Sequence, residues 1–237
     1  MKISIIIPAH NEELYIKECL LSVEKHGTKN TEEVIVIDNG STDATLQVAE
    51  QFHFVTVVSE PKKGVNHARQ AGLMHAKSEL VAFIDADTRI TKDWIEIAID
   101  EFNKNKNLVA LSGPCVYYDL KPFKSALVSL YFNVFAYPFS KITGSVVLLG
   151  NLVIKKSAIM DVGGFDTSIA FCGDDTNIAR RLKRVGRVGF IKKFFLYTSG
   201  RRLEKEGIIK TSFIYMLNHL SEKFFHIQIT KKYLDIR

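Results

Sequence analysis

Ile3-Ser4-Ile5-Ile6-Ile7-Pro8-Ala9-His10-Asn11-Glu12 opens the chain with an apolar run that ends at a proline and turns polar at once. A short run that is apolar on both of its alternating faces fits a parallel strand covered on both sides. The pattern returns at 34–37, where Asp38-Asn39-Gly40-Ser41-Thr42-Asp43 follows, and at 80–84, where Asp85-Ala86-Asp87 follows. Residues 54–58 supply a further strand. Between the strands, apolar residues take helical spacing. Asn11 is placed to cap a helix striped by Ile16, Cys19, Leu20 and Val23, and Ser41 and Thr42 open the next. Ala68, Ala71 and His75 share one face of a third helix, and Trp94, Ala98 and Phe102 mark a fourth. This alternation predicts an α/β fold: a mostly parallel, twisted sheet with helices on both faces.

The rhythm changes past 109–115. Residues 123–139 are apolar nearly all round if helical, and 146–154 read as a strand interrupted by Gly150-Asn151. Ile178, Leu182 and Val185 stripe a helix that Gly186 ends. Residues 188–197 are strand-like, and Ile209, Phe213, Met216, Leu220 and Phe224 outline a final amphipathic helix. With no linker in sight, the chain reads as a single domain with two subregions, 1–115 and 116–237.

A chain of 237 residues can bury a core without covalent staples, and its 46% hydrophobic and 24% charged content excludes disorder and low complexity. Cys19, Cys115 and Cys172 are odd in number and lack CxxC spacing, which argues against a disulfide framework and for a reducing compartment, and none of the seven histidines has metal-ligand spacing, so no zinc is expected. The opening apolar run is too short for a signal peptide, and no window offers the ~20 apolar residues of a membrane span. A cytoplasmic protein is therefore expected. The net charge of +6 suits an anionic partner, whether phosphorylated small molecule, lipid or nucleic acid. Zinc-finger spacing and aromatic RNA-binding patterns are both missing, so nucleic acid is not the expected partner.

Open α/β sheets bind ligands beyond the carboxyl ends of their strands, where three polar clusters fall: 8–12, 38–43 and 85–87. Asn, Ser, Thr and Asp also serve there as plain turn and cap formers. For Asp85-Ala86-Asp87 the plain reading is weaker, because two carboxylates so close repel unless a cation compensates. Hard oxygen ligands suit Mg²⁺ or Mn²⁺, which complete their shells with water and substrate phosphate. Asp174 and Asp175 follow Gly173 at the start of a helix. The helix dipole alone can account for them, and they also suit a general base beside a cationic site. Gly200-Arg201-Arg202 reads either as a guanidinium grip on a diphosphate or as a solvated basic turn.

Seven segments in order resemble the family 2 glycosyltransferases, which have the GT-A fold. They are Ile5-Ile6-Ile7-Pro8-Ala9-His10-Asn11-Glu12-Glu13; Val36-Ile37-Asp38-Asn39-Gly40-Ser41-Thr42-Asp43; Lys63-Gly64 with Ala68-Arg69; Phe83-Ile84-Asp85-Ala86-Asp87; Gly150-Asn151; Gly163-Gly164-Phe165-Asp166; and Asp174-Asp175 through Arg181-Leu182. The resemblance implies an inverting, metal-dependent transfer of a sugar from a nucleotide-diphosphate donor, UDP by default, with GDP and dTDP as alternatives. By it, Pro8, Ala9 and Glu12 line the nucleoside pocket and Asp38 bonds the base. Lys63, Gly64 and Arg69 sit near base and ribose, and Asp85 approaches the ribose or sugar. Asp87 binds a Mg²⁺ or Mn²⁺ ion bridging the diphosphate, and Asp175, second acid of the family's Glu-Asp pair, is the base. The sequence departs from the pattern at Asp174 for Glu, Asn177 for Asp, Gln70 for Asn and Ser78 for Gly, so Asp174 stays beside Asp175 as a candidate base. The Gln-x-x-Arg-Trp motif of processive members is absent, which implies one sugar added per encounter.

The resemblance puts residues 123–139 and 205–237 on the acceptor side, for a saccharide or lipid-linked acceptor. From Lys205 onward six Lys/Arg face three acids, a pattern that fits either an interfacial helix on anionic lipid or a core-facing helix with solvated lysines. Two rival functions are a sugar nucleotidyltransferase and a non-catalytic sugar-nucleotide-binding protein. The first needs a glycine-rich phosphate loop after the first strand, where this chain has Pro8-Ala9-His10. Asp85, Asp87 and Asp175 argue against the second.

Overall fold

The computed structural model describes residues 1–138, 140, 146–169, 173–207, 211, 214, 217 and 221. Cys172, Phe139 and the residues used to predict the final amphipathic helix lie outside them.

β1 (Ile3–Ala9) leads through α1 (Ile16–His26) to β2 (Thr31–Asp38), α2 (Thr45–Ala49), β3 (Val55–Ser59), α3 (Val65–His75) and β4 (Leu80–Ile84). β5 (Thr88–Arg89), α4 (Trp94–Lys104), β6 (Leu108–Ser112) and β7 (Cys115–Tyr117) follow. Then comes α5 (Pro122–Tyr131), which widens into a π-helical turn at Phe132–Ala136. β8 (Asn151–Lys155), α6 (Lys156–Asp161), α7 (Asp174–Leu182), β9 (Arg187–Phe190), β10 (Leu196–Thr198) and α8 (Arg201–Glu206) come after it.

Seven strands form the main sheet in the order β3-β2-β1-β4-β8-β6-β9, and β8 alone runs against the rest. Every residue of β1 is buried. Side chains alternate across a strand, so Ile5 and Ile7 join Ile16, Leu20, Trp94 and Phe102 in one core. Ile6 joins Leu73, Phe83, Phe165 and Ile178 in the other. A three-stranded sheet, β5-β10-β7, stands beside the carboxyl end of β4. Asn151, fully buried, ties the two sheets together. Its Nδ2 donates to the carbonyls of Gly113, Pro114 and Phe194, and its Oδ1 accepts from Trp94 Nε1 at 2.9 Å.

Several local expectations change. Asn11 does not cap α1, which begins at Ile16 behind Tyr15. It takes a left-handed turn (φ 53°), a conformation asparagine tolerates, and its Oδ1 accepts from the Thr42 N–H at 2.8 Å. Ser41 and Thr42 thus belong to a loop joined to Asn11, and α2 starts later, where Asp43 accepts from the Thr45 N–H. Residues 109–115 divide between the two sheets, as do 188–197. The break at Gly113 has a steric cause: a Cβ there would overlap the Phe194 carbonyl. The strand expected over 146–154 begins only at Asn151. Val185 lies past the end of α7 and is exposed, while Gly186 is needed for close approach to Val109 rather than for a left-handed cap. α5 buries none of its residues despite its apolar composition.

Candidate active site

The parallel strands end their carboxyl edges on one side of the sheet, and the predicted polar clusters meet there. At the end of β2, Asp38 is buried and its Oδ1 accepts from the Ser41 N–H at 3.2 Å. Asn39 clips the next loop to it. Its Nδ2 donates to the Glu60 and Lys62 carbonyls, and its Oδ1 accepts from the Gly64 N–H at 2.7 Å. Lys63 and Gly64 are thereby held near Asp38. Pro8 and Ala9 are buried at the end of β1, with Ala9 in register with Asp38.

A second group forms where β1, β4 and β10 converge. Glu12 is buried and places Oε1 2.6 Å from Arg201 Nη2, and the same nitrogen lies 3.2 Å from Asp87 Oδ2. Thr198 Oγ1 donates to Asp87 Oδ1 at 3.3 Å. Burial, and then the charge of Asp85, push the Asp87 carboxyl up to about 7 against the opposing effects of Arg201 and Thr198. Burial opposes the charge of Arg201, but the bond to Glu12 and the fields of Glu12 and Asp87 outweigh it. Arg202 points elsewhere, 3.4 Å from Glu206 one helical turn on.

The third group joins Asp85, of the Asp85-Ala86-Asp87 triplet, to α7. Arg69, buried on α3, places Nη1 2.9 Å from Asp174 Oδ2 and Nη2 3.4 Å from Asp85 Oδ1. Asp85 remains about half exposed, and Gly150 passes so close that a Cβ would overlap its carboxylate. Asp175 Oδ1 accepts from the Leu149 N–H at 2.7 Å. Burial, and then Asp174, push the Asp175 carboxyl up to about 8, while Arg69 and the Leu149 N–H oppose the shift. The two candidate bases therefore differ: Asp174 is tied in an ion pair, and Asp175 holds a proton into the neutral range.

Some positioning residues escaped the sequence reading. Asp119 accepts from Ser199 Oγ and the Gly200 N–H, both at 2.5 Å, and so fixes the turn that presents Arg201. Asn66 and Gln70 hold the 164–169 loop through Ile169 O and the Phe165 N–H. Asp119 carried no sequence signal, whereas Asn39 stood inside a quoted cluster without a role.

The donor set at Asp85 and Asp87 is oxygen only. Burial raises the pKa of both neighbouring thiols, Cys19 and Cys115, and keeps them protonated. In the ion-paired groups, four carboxylates (Glu12, Asp85, Asp87 and Asp174) face two guanidiniums (Arg69 and Arg201), which leaves a deficit of positive charge. Among the described residues no three His, Cys, Asp or Glu side chains form a closed ligand set. A hard divalent ion on two carboxylates, completed by phosphate and water, fits this chemistry.

The fold is an α/β domain whose polar clusters gather at the carboxyl edge of a mostly parallel sheet, and the chain belongs to the glycosyl transferase family 2, whose model matches residues 4–163. Poly(ribitol-phosphate) beta-N-acetylglucosaminyltransferase TarS of Staphylococcus aureus is 36% identical over 122 residues, covering 48% of this chain and 21% of TarS. Glycosyltransferase AglE of Haloferax volcanii is 28% identical over 180 residues, 73% of this chain and 58% of AglE. In structure the chain resembles mannosyltransferase PcManGT from Pyrobaculum calidifontis, solved with GDP-Man and Mn²⁺, at a TM-score of 0.71 and 21% identity, covering 94% of this chain and 64% of that one. The fold is GT-A, as the sequence led one to expect. The chain spans less than two thirds of the length of these two relatives.

Proposed function

We propose that this protein transfers a sugar from a nucleotide-diphosphate donor, a UDP-sugar by preference, to a hydroxyl of a saccharide or lipid-linked acceptor, inverting the anomeric carbon. The observation that carries this reading is the Arg69 bridge, which brings Asp85 and the α7 acid Asp174, the neighbour of Asp175, within the span of one guanidinium. The GDP-Man and Mn²⁺ bound by PcManGT and the UDP-GlcNAc bound by TarS support the donor class. Residues 1–115 serve the donor and 116–237 the acceptor and the base.

Asp38, with Lys63 and Gly64 on the loop clipped by Asn39, receives the nucleoside beside Pro8 and Ala9. Asp85 and Asp87 hold the divalent ion, which when bound offsets the charge of the departing diphosphate. Asp175 accepts the proton of the acceptor hydroxyl as its oxygen bonds to the anomeric carbon. The bond to the diphosphate oxygen breaks in the same displacement, and UDP leaves with the electron pair. Asp174, tied to Arg69, orients the start of α7.

Calorimetric titration with UDP tests the metal role. Affinity is expected to fall when EDTA replaces Mn²⁺ or Mg²⁺, and Asp87→Ala is expected to weaken binding only when metal is present. Equal affinity in metal and in EDTA would remove the role assigned to Asp85 and Asp87.

Peripheral contact with an anionic membrane is part of the same proposal. Its support is α5, where Phe123, Leu127, Leu130 and Tyr131 are exposed. Among the described residues no helix is long and apolar enough to cross a bilayer. Cosedimentation is expected with anionic vesicles and to weaken at high salt, as a charge-driven contact must. Absence of binding at low salt would contradict it.

A further inference from the structure

Both oxygens of Asp87 are engaged within the protein. Thr198 Oγ1 donates to Oδ1 at 3.3 Å, and Arg201 Nη2 lies 3.2 Å from Oδ2. Thr198 is a neutral hydroxyl that can rotate away. Arg201 is a fixed charge, anchored at 2.6 Å to Glu12, stacked with its guanidinium carbon 4.4 Å from the centre of the Tyr15 ring, and presented by a turn pinned to Asp119. Asp85, by contrast, is about half exposed and makes a long contact with Arg69. An ion arriving from solvent can reach Asp85 directly, but it meets a guanidinium at Asp87. Two cations on one partly buried carboxylate repel, and the repulsion grows as water is excluded.

We propose that Arg201 is the resident cation of this cluster and competes with the divalent ion for Asp87, so that the ion binds tightly only together with a diphosphate. Diphosphate oxygens match the guanidinium fork and offer Arg201 a new partner when it gives up Asp87. Metal and nucleotide then bind as a coupled pair, each strengthening the other by the same factor. This inference rests on the reading of Asp85 and Asp87 as ion ligands.

The test titrates the full chain with Mn²⁺, alone and with UDP, and counts free ion by electron paramagnetic resonance. Arg201→Gln removes the competing charge. Its affinity for Mn²⁺ alone is expected to tighten by roughly 5- to 150-fold, the usual span of coupling between two sites. UDP is expected to strengthen Mn²⁺ binding less in the variant than in the parent. Unchanged or weaker affinity for Mn²⁺ alone in a folded Arg201→Gln chain, with UDP strengthening parent and variant alike, would overturn the competition and leave the ligand reading standing. Mn²⁺ bound by neither protein, even with UDP, would overturn both. Arg201→Lys covers the case in which the Gln variant does not fold. It keeps a cation beside Asp87, so its affinity for Mn²⁺ alone is expected to stay near that of the parent, and a gain of about 5-fold or more would refute the competition.

Discussion

An Asp175→Asn enzyme is expected to lose about 100- to 10,000-fold in kcat while binding UDP in Mn²⁺ as tightly as the parent. The substitution keeps the shape of a side chain that accepts from the Leu149 N–H and removes its capacity to take a proton. Asp174→Asn is expected to act differently, because Asp174 is spent in the ion pair with Arg69 and its loss falls on stability or acceptor KM. The raised pKa of Asp175 also predicts a pH signature. A base with a pKa near 8 is mostly protonated at pH 6, so kcat/KM should climb with pH and level off above about 8. Stability should move the other way. Asp175 keeps its proton up to about 8 when folded, against roughly 3.9 when unfolded. The folded state then binds more protons across that window, and stability falls as pH rises through it. Asn cannot ionise, so the Tm of Asp175→Asn should gain on the parent between pH 5 and 8 and match it near pH 3. Undiminished kcat in Asp175→Asn would remove it from the role of base.

Replacing Arg69 has the largest expected effect on stability. Arg69→Met leaves Asp174 without its buried partner, and breaking a buried pair from one side costs about 3–5 kcal/mol. At roughly 2–4 °C per kcal/mol for a chain near this size, Tm should fall by roughly 6–20 °C. The contact with Asp85 adds little, since its length is 3.4 Å and solvent screens the half-exposed carboxylate. Thermal unfolding of the ligand-free protein measures the loss. A fall under about 3 °C would mean that Arg69 bridges the acids without holding them.

Strands β1, β2 and β4 were legible because burial on both faces writes a continuous apolar run, and the polar residues past their ends were legible as a consequence. The same logic gathers the 8–12, 38–43 and 85–87 clusters at one edge of the sheet, whereas Asp174 and Asp175, at the start of a helix, join them only through the family resemblance. What the sequence hid depends on contacts between distant segments. Arg201 and Glu12 are 189 residues apart, so the reading of Arg201 as a diphosphate grip could not include its hold on Asp87. Asn11 looked like a cap because caps and left-handed turns favour the same side chain. The apolar composition of α5 was plain, but not that the fold leaves its Phe123 and Leu130 exposed. Asp119 lies in an irregular stretch where no period marks which side chain turns inward.

The most direct test is the configuration of the sugar released when the protein slowly hydrolyses an α-linked UDP-sugar in Mn²⁺ without acceptor, followed by proton NMR before the sugar mutarotates. Water activated by Asp175 in a single displacement should release the β-anomer first, and Asp175→Asn should release it far more slowly. First release of the α-anomer would contradict an inverting displacement with Asp175 as base.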